Sequence, residues 1–553
     1  MFEYDDKAVR ELLHAFSGLV RLSGEPDGDR GMRLIEKQLE SYGIPCRMEE
    51  VECMVSNPGW ASFTLACGQE EYSFPAYVRS YSASVPEGIY APVFYDSRSH
   101  EDMSPLEMDA WYRDAAGKIL LTDNFYEDYV KRMEYYKAAG ILHIWRTEET
   151  YIHNETVCPV WGTASVDDLN KLPRIPVIGV THRDGEILRE AVSRTQEMGV
   201  RPMVRLACQT EKKAVKALLP SVYLPGETEK YVLVAGHADS WFEGVTDNGT
   251  GNALCVQLAA AFRNRKLKRG LKIAWWPAHS NGRYAGSAWY CDQHFEDLDE
   301  NCVALLNVDS PGCMGAEIVD LTTCLFEGKA FSDIILHATG QKQVDYYKHP
   351  KGSDLSFFGP DIPVIINFAY NQKPEERKWD CAGSGGGWWW HTTEDSLNKV
   401  DYAILKRDTM IVCEMAERLC CAEHLPFDPA CYLTQFEEET AAIKDSCGPE
   451  FDFDPVVDVL ARLKEALTSM PPLTDEQAKR IGGMLNKLLY TSGDAYGYEN
   501  TFASPKIPGL QCARDITREN TPEDVYLGIR TKFIRQRNRF TMECKKLLRQ
   551  LMQ

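Results

Sequence analysis

The sequence predicts an α/β protein whose sheet is mixed but mainly parallel and covered by helices on both faces. Three observations carry this reading. Apolar runs of five to seven residues, in KYVLVAGHADS, LKIAWWPAHS, CVALLNVDSPG and IPVIINFAY, alternate with helix-spaced stretches such as NALCVQLAAAFRNR. Apolar runs between helices are the mark of parallel strands buried on both sides. The polar residues of these segments fall at the carboxyl ends of the strands, where such sheets bind ligands. The composition, 44% hydrophobic and 26% charged over 553 residues, is that of a soluble globular chain with material for a large core.

Taken in order, residues 6–50 read as a helix (DKAVRELLHAFSGLVRL), a polar loop, a second helix (GMRLIEKQLESYG) and a strand entered through Ile44-Pro45. From residue 79 short β-rich runs (IYAPVFY, GKILLTD, ILHIW, IPVIGVT) alternate with polar loops and one helix, YEDYVKRMEYYKAAG. This stretch ends near the charged segment QTEKKAVK and reads as a small β-rich domain, residues 79–215, inserted into the first. The α/β pattern resumes over 216–425, so 1–78 and 216–425 form one domain. Residues 426–553 read as helical. Asp454-Pro455 opens a helix with Val456, Val459, Leu460, Leu463 and Leu467 on one face, and Thr474 with Gln477 forms a capping box for the next.

The 61 Lys and Arg against 82 Asp and Glu leave a net charge of −21, which argues against nucleic acid or a membrane surface as partner. The N-terminus, MFEYDDKAVRELLHAF, lacks the basic start and apolar core of a signal peptide, and no apolar run is long enough to span a bilayer. The 18 cysteines are scattered without a CxxC pair, the usage of free cytosolic thiols. A cytoplasmic protein is expected.

Four strand-end segments hold possible metal ligands: His237, Asp239 and Asp247 in GHADSWFEGVTDNGTGNA, His279 in AWWPAHSNGRYAGSAWY, Asp309 in NVDSPG, and His391, Glu394 and Asp395 in WWWHTTEDS. A lone histidine or aspartate is usually structural, and His294 and His349 are read so. Four such segments in one α/β domain point to a metal site.

With these motifs in order, the sequence resembles the cocatalytic zinc aminopeptidases, in the branch that includes glutamate carboxypeptidase II and transferrin receptor. The resemblance rests on His237-Ala238-Asp239, Asp247-Asn248-Gly249, Gly286-Ser287, Ser353-Asp354 to Phe357-Phe358, and His391 to Asp395. It makes the insert similar to a protease-associated domain, through GKILLTD, KAAGILHIW and IPVIGVTHRDGEIL, and the C-terminal helices similar to a dimerisation domain. It implies a homodimer, and zinc as cofactor, in one or two ions. Asp247 would bridge them, His237 and Asp309 would complete the first site, and His391 would serve the second. Asp239 would hydrogen-bond His237 to fix its tautomer, and Asp395 would support His391.

One segment departs from that family. His279 and Ser280 stand where it carries a Glu-Glu pair, base and ligand of the second zinc, and one extra residue precedes Gly286-Ser287. Either His279 replaces the base, or it is a metal ligand, or the protein is a non-catalytic relative, as transferrin receptor is. The expected function is metal-dependent hydrolysis of an amide bond in a small peptide or N-acyl amino acid. The alternatives are a binding or scaffold protein, or a lyase or hydrolase of a non-peptide substrate. Ser280, Arg283 and Tyr284 are candidate substrate contacts. Trp389 and Trp390, after the glycine-rich stretch 383–387, belong either to a lid that closes on substrate or to a loop anchored on a neighbouring domain.

Overall fold

The computed structural model describes residues 2–551 apart from 99–102, 125, 324–326, 378–382, 469, 471 and 502–504. Four strands form the parallel centre of the sheet, in the order Val364–Asn371, Cys302–Asn307, Tyr231–His237 and Gly270–Trp276. Their side chains are almost wholly buried, which explains why they read as unbroken apolar runs rather than as alternating ones. Ile318–Thr323 adds antiparallel to one edge and carries Tyr346–Lys348 beyond it. Gly270–Trp276 pairs antiparallel with the end of Met203–Leu224 on the other. The helix Thr250–Phe262 is buried on nearly every side, consistent with its alanine- and leucine-rich sequence.

Two long antiparallel strands, Arg47–Cys67 and Met203–Leu224, leave this sheet as a ribbon. At its far end Met203–Cys208 pairs with Val85–Tyr95, which starts a second parallel set: Val85–Tyr95, Ile119–Thr122, Gly140–Ile144 and Val177–Val180. Two sequence expectations change here. The boundary drawn at residue 215 lies inside the strand Met203–Leu224, because QTEKKAVK is not a linker. Its charges point outward from a ribbon, with Lys213 and Lys216 paired to Glu25 and Glu50. Among its described residues the insert also holds three α-helices, not one: Pro105–Tyr112, Glu127–Tyr135 and His182–Glu197. The last, capped by Thr181, buries Leu188, Ala191 and Val192 against the insert's sheet.

The C-terminal helices Pro429–Ser446, Asp454–Thr468, Asp475–Tyr490 and Glu523–Leu551 share one continuous core with the central sheet. Thr474 and Gln477 make the capping box, and Val456, Val459, Leu460, Leu463 and Leu467 are buried. Lys479 reaches the carbonyls of Cys302 and Asp361, and Arg269 pairs with Asp475 in a bidentate contact. Among the described residues no helix is long and apolar enough to cross a membrane, and every cysteine is a free thiol.

Candidate metal centre

The parallel strands deliver their polar ends to one point. His237 is the last residue of its strand and is 1% exposed. Asp247 lies in the turn Val245–Gly249, Asp309 follows Cys302–Asn307, and His279 follows Gly270–Trp276. Asn248 ties these loops together: its amide donates to the Val308 carbonyl at 2.9 Å and accepts from the Ser310 N–H at 3.0 Å. Gly286 is required by close approach, since a Cβ there would stand 2.1 Å from the Pro277 carbonyl oxygen. Ala278, Arg283, Tyr284, Ser310 and His391 all have positive φ. Left-handed backbone at non-glycine residues is uncommon, and its concentration around one pocket marks loops held by their surroundings.

The Asp247 carboxylate sits between two imidazoles, with Oδ1 3.0 Å from His237 Nε2 and Oδ2 3.2 Å from His391 Nε2. Asp309 Oδ1 is 3.5 Å from His237 Nε2. Ligand atoms of His237, His279 and Asp309 lie within 4.8 Å of one another, and the His237 and His279 rings stack at 3.8 Å. Asp309 and His279, at 25% and 16% side-chain exposure, form the open side.

The tautomers are fixed by oxygen acceptors. Nδ1 of His237 is 3.0 Å from the Asp239 carbonyl, Nδ1 of His279 is 2.8 Å from Asp354 Oδ2, and Nδ1 of His391 is 3.0 Å from the Asn154 carbonyl. A carbonyl or carboxylate only accepts, so each Nδ1 carries the hydrogen and each neutral ring presents an Nε2 lone pair. His237 Nε2 is buried and, although within ion-pair distance of Asp247, is not aligned with it as a hydrogen bond. Lone pairs and carboxylates facing one another repel unless a proton or a cation lies between them. This donor set, imidazole nitrogen with carboxylate oxygen, fits zinc.

The electrostatics agree. Burial works against charge on His237, but Asp309 and Asp247 raise its pKa well above the usual value. Burial likewise opposes charge on His391, which Asp247 and Glu155 nonetheless push up to about 9. Burial alone would raise Asp247, yet His237 and His391 hold it well below the carboxylate range.

Several sequence assignments are corrected by the contacts. Asp239 does not orient His237 through its carboxylate, which is 3.8 Å from Nδ1. It accepts instead from the His279 and Ser280 N–H groups at 3.0 and 2.9 Å, bracing the altered loop. Asp395 does not support His391. It accepts from the Thr246 N–H at 2.8 Å, the Thr246 hydroxyl at 2.7 Å and the Asp247 N–H at 3.0 Å, and so pins the turn that carries Asp247. Arg283 is not free for substrate, because its guanidinium is bonded to Glu127 of the insert and to the Thr501 hydroxyl.

Trp389 is 1% exposed and donates its indole N–H to Thr246, so it is an anchor rather than a substrate contact. Trp388 stacks on Tyr151 of the insert, and Trp390 stacks on His391 at 3.7 Å. The tryptophan loop is therefore docked, not a free lid. Ser280 is buried beside His279, and Tyr284 packs edge-on against the His279 ring. Burial pushes the Tyr284 phenol up to about 12, so it stays a donor at neutral pH.

Sequence reasoning gave no role to Asp354 or Glu155. Asp354 is fully buried, holding His279 with one oxygen and accepting from the Ser287 hydroxyl at 2.8 Å with the other. It stands in the Ser353-Asp354 motif, whereas Glu155 lies in an irregular stretch of the insert with no local signature.

Residues 221–416 match the profile of peptidase family M28. Rat carboxypeptidase Q is 23% identical over 284 residues, which cover 49% of this chain and 57% of that protein. A probable glutamate carboxypeptidase of Arabidopsis thaliana is 25% identical over 173 residues, covering 27% of this chain and 25% of its own. The chain thus spans little more than half of the rat relative and a quarter of the plant one. In fold, it resembles the aminopeptidase of Aneurinibacillus sp. strain AM-1, with TM-score 0.57 at 18% identity over 77% of this chain and 96% of the other. It is equally similar to BSAP, a zinc aminopeptidase from Bacillus subtilis, with TM-score 0.57 at 18% identity over 76% and 97%.

Proposed function

We propose that the protein, whose residues 221–416 match the model of peptidase family M28, is a zinc-dependent hydrolase of an amide bond in a small peptide or an N-acyl amino acid. The observation that carries this is the convergence of His237 and His391 Nε2 on the two oxygens of Asp247, with each Nδ1 already committed to a carbonyl. His237, Asp247 and Asp309 would hold one ion, while Asp247 and His391 would hold a second.

Bound there, zinc supplies a Lewis acid that polarises the substrate carbonyl and acidifies water. His279 takes the place of the missing glutamate: its Nε2 accepts the proton of the attacking water and returns it to the leaving amine. Asp354 keeps Nδ1 protonated so that Nε2 is the basic atom. The Tyr284 and Ser280 hydroxyls, beside His279, are the donors for the developing oxyanion. Arg283, neutralised by Glu127, shapes the pocket without meeting the substrate. The same reading takes a cytoplasmic homodimer through the C-terminal helices, the last of which exposes Val525, Leu527, Ile534 and Met542.

The test is elemental analysis of the purified protein, with hydrolysis of dipeptide and N-acyl amino acid libraries before and after chelation. Turnover lost to chelator and restored by zinc is expected. A protein that binds neither zinc nor other divalent ions and turns over nothing refutes the proposal. The loss of both glutamates favours one other reading, a binding protein that uses the same cleft without turnover; ligand binding with intact metal and no hydrolysis would establish it.

A further inference from the structure

His391 stands on the central domain, but the groups that hold its far side come from the insert. The Asn154 N–H donates to the His391 carbonyl at 2.9 Å, and His391 Nδ1–H donates to the Asn154 carbonyl at 3.0 Å. Beside that reciprocal pair, Glu155 Oε2 lies 3.5 Å from His391 Nδ1, while its Oε1 accepts from the Thr156 N–H at 2.8 Å. Glu155 is 9% exposed, so its charge is not dispersed into water. The Trp390 ring closes the stack over the imidazole, and the central domain's own Asp395 faces the Asp247 turn instead.

We infer that Glu155 is the positioning carboxylate of His391, and that the insert therefore builds the second half of the metal centre rather than merely covering it. The Asn154 carbonyl takes the single Nδ1 hydrogen, while the Glu155 charge beside it holds the ring and strengthens the lone pair on the other nitrogen; removing such outer partners typically weakens metal binding about 10- to 100-fold. Here the partner arrives from a segment more than two hundred residues away in sequence. The buried Arg283–Glu127 pair lies beside it and fastens the altered loop to the same insert. The second ion's affinity is thus tied to insert docking, while the first site, His237, Asp247 and Asp309, takes no ligand from the insert.

The inference rests on reading His391 as a metal ligand, so its test separates the two claims. Zinc titration of full-length wild type, Glu155→Gln and Asp96→Asn, with chelator competition, gives the affinity of each ion. Nitrogen-15 histidine spectra of the chelator-treated proteins, with the His391 signal assigned from His391→Asn, give its ring state without metal. Glu155→Gln is expected to weaken only the second ion, by about 10- to 100-fold, and to shift the His391 Nδ1 resonance. Asp96→Asn, at a buried insert carboxylate that is bonded within the insert to Trp111, Tyr112 and Tyr129, should leave both unchanged even if it lowers the unfolding temperature. Equal effects of the two variants would reduce Glu155 to a structural role and overturn the inference. So would an unmoved His391 signal with unchanged affinities. A wild type without zinc affinity, but with a His391 signal that Glu155→Gln alone shifts, would uphold the positioning and refute the metal reading.

Discussion

Asp354 Oδ2 lies 2.8 Å from His279 Nδ1 and is fully buried, so the imidazole that stands in place of the missing glutamates has one defined tautomer. The other carboxylate oxygen is held by Ser287, which keeps Asp354 from rotating away. An asparagine at this position can turn its NH2 toward Nδ1 and force the hydrogen onto Nε2, the atom proposed as base. Asp354→Asn should therefore lower kcat by about 10²- to 10⁴-fold, the usual worth of a general base, with little change in KM. Steady-state kinetics on the best substrate from the library checks this, and an unaltered kcat would remove His279 from the proton path.

The role of His279 divides by metal content. Asp247 touches both flanking imidazoles, so Asp247→Ala is expected to remove all zinc. His279→Ala should abolish turnover whether the ring is base or ligand, but it lowers the zinc content only in the second case. Elemental analysis of the two variants distinguishes them. Two tightly held ions in His279→Ala would mean that some other residue fills the lost glutamate's position.

Much of the fold was legible because its strands are buried on both faces and read as unbroken apolar runs, as in Tyr231–His237 and Cys302–Asn307. The ribbon strand Met203–Leu224 was not, since a strand with solvent on one side carries lysines and glutamates that look like a linker. The ligand-bearing segments were visible because each follows such a run. Their supports were not. Glu155 and Asn154 reach His391 only through the folding of the insert, and Asp395 was assigned to the wrong neighbour because sequence proximity to His391 says nothing about which way its side chain turns.

Asp395 satisfies three donors at once, the N–H groups of Thr246 and Asp247 and the Thr246 hydroxyl, which in turn accepts from Trp389. Removing it strands buried donors, each costing roughly 1–3 kcal/mol. Asp395→Ala should lose about 2–4 kcal/mol of stability and release the tryptophan loop, seen as a lower unfolding midpoint and faster cleavage near residues 383–391 under limited proteolysis. Asp395→Asn, which keeps an acceptor, should lose less. Equal losses would mean that charge rather than hydrogen bonding sets the turn.

Stability should also vary with pH through a carboxylate outside the metal centre. Asp408 is fully buried, accepting from the Gly312 N–H at 2.9 Å with one oxygen and from Arg407 at 2.7 and 2.9 Å with the other. Burial raises its pKa from the ordinary 3.8 to about 6, more than the Arg407 charge lowers it. A folded-state pKa above the unfolded one means a contribution to stability that is fully present below about 4 and lost as the pH rises through about 6. Asp408→Asn removes that titration while keeping an acceptor for Gly312. Whatever it costs at low pH, the variant should therefore gain on the wild type by about 2–3 kcal/mol between pH 4 and pH 7.5, since each pH unit separating the folded and unfolded pKa values is worth about 1.4 kcal/mol. Unfolding midpoints of both proteins across this range, in chelator so that metal uptake does not vary, give the difference directly. A difference that is flat with pH would mean that Arg407 holds Asp408 ionised throughout. One that falls with rising pH would reverse the sign of the coupling.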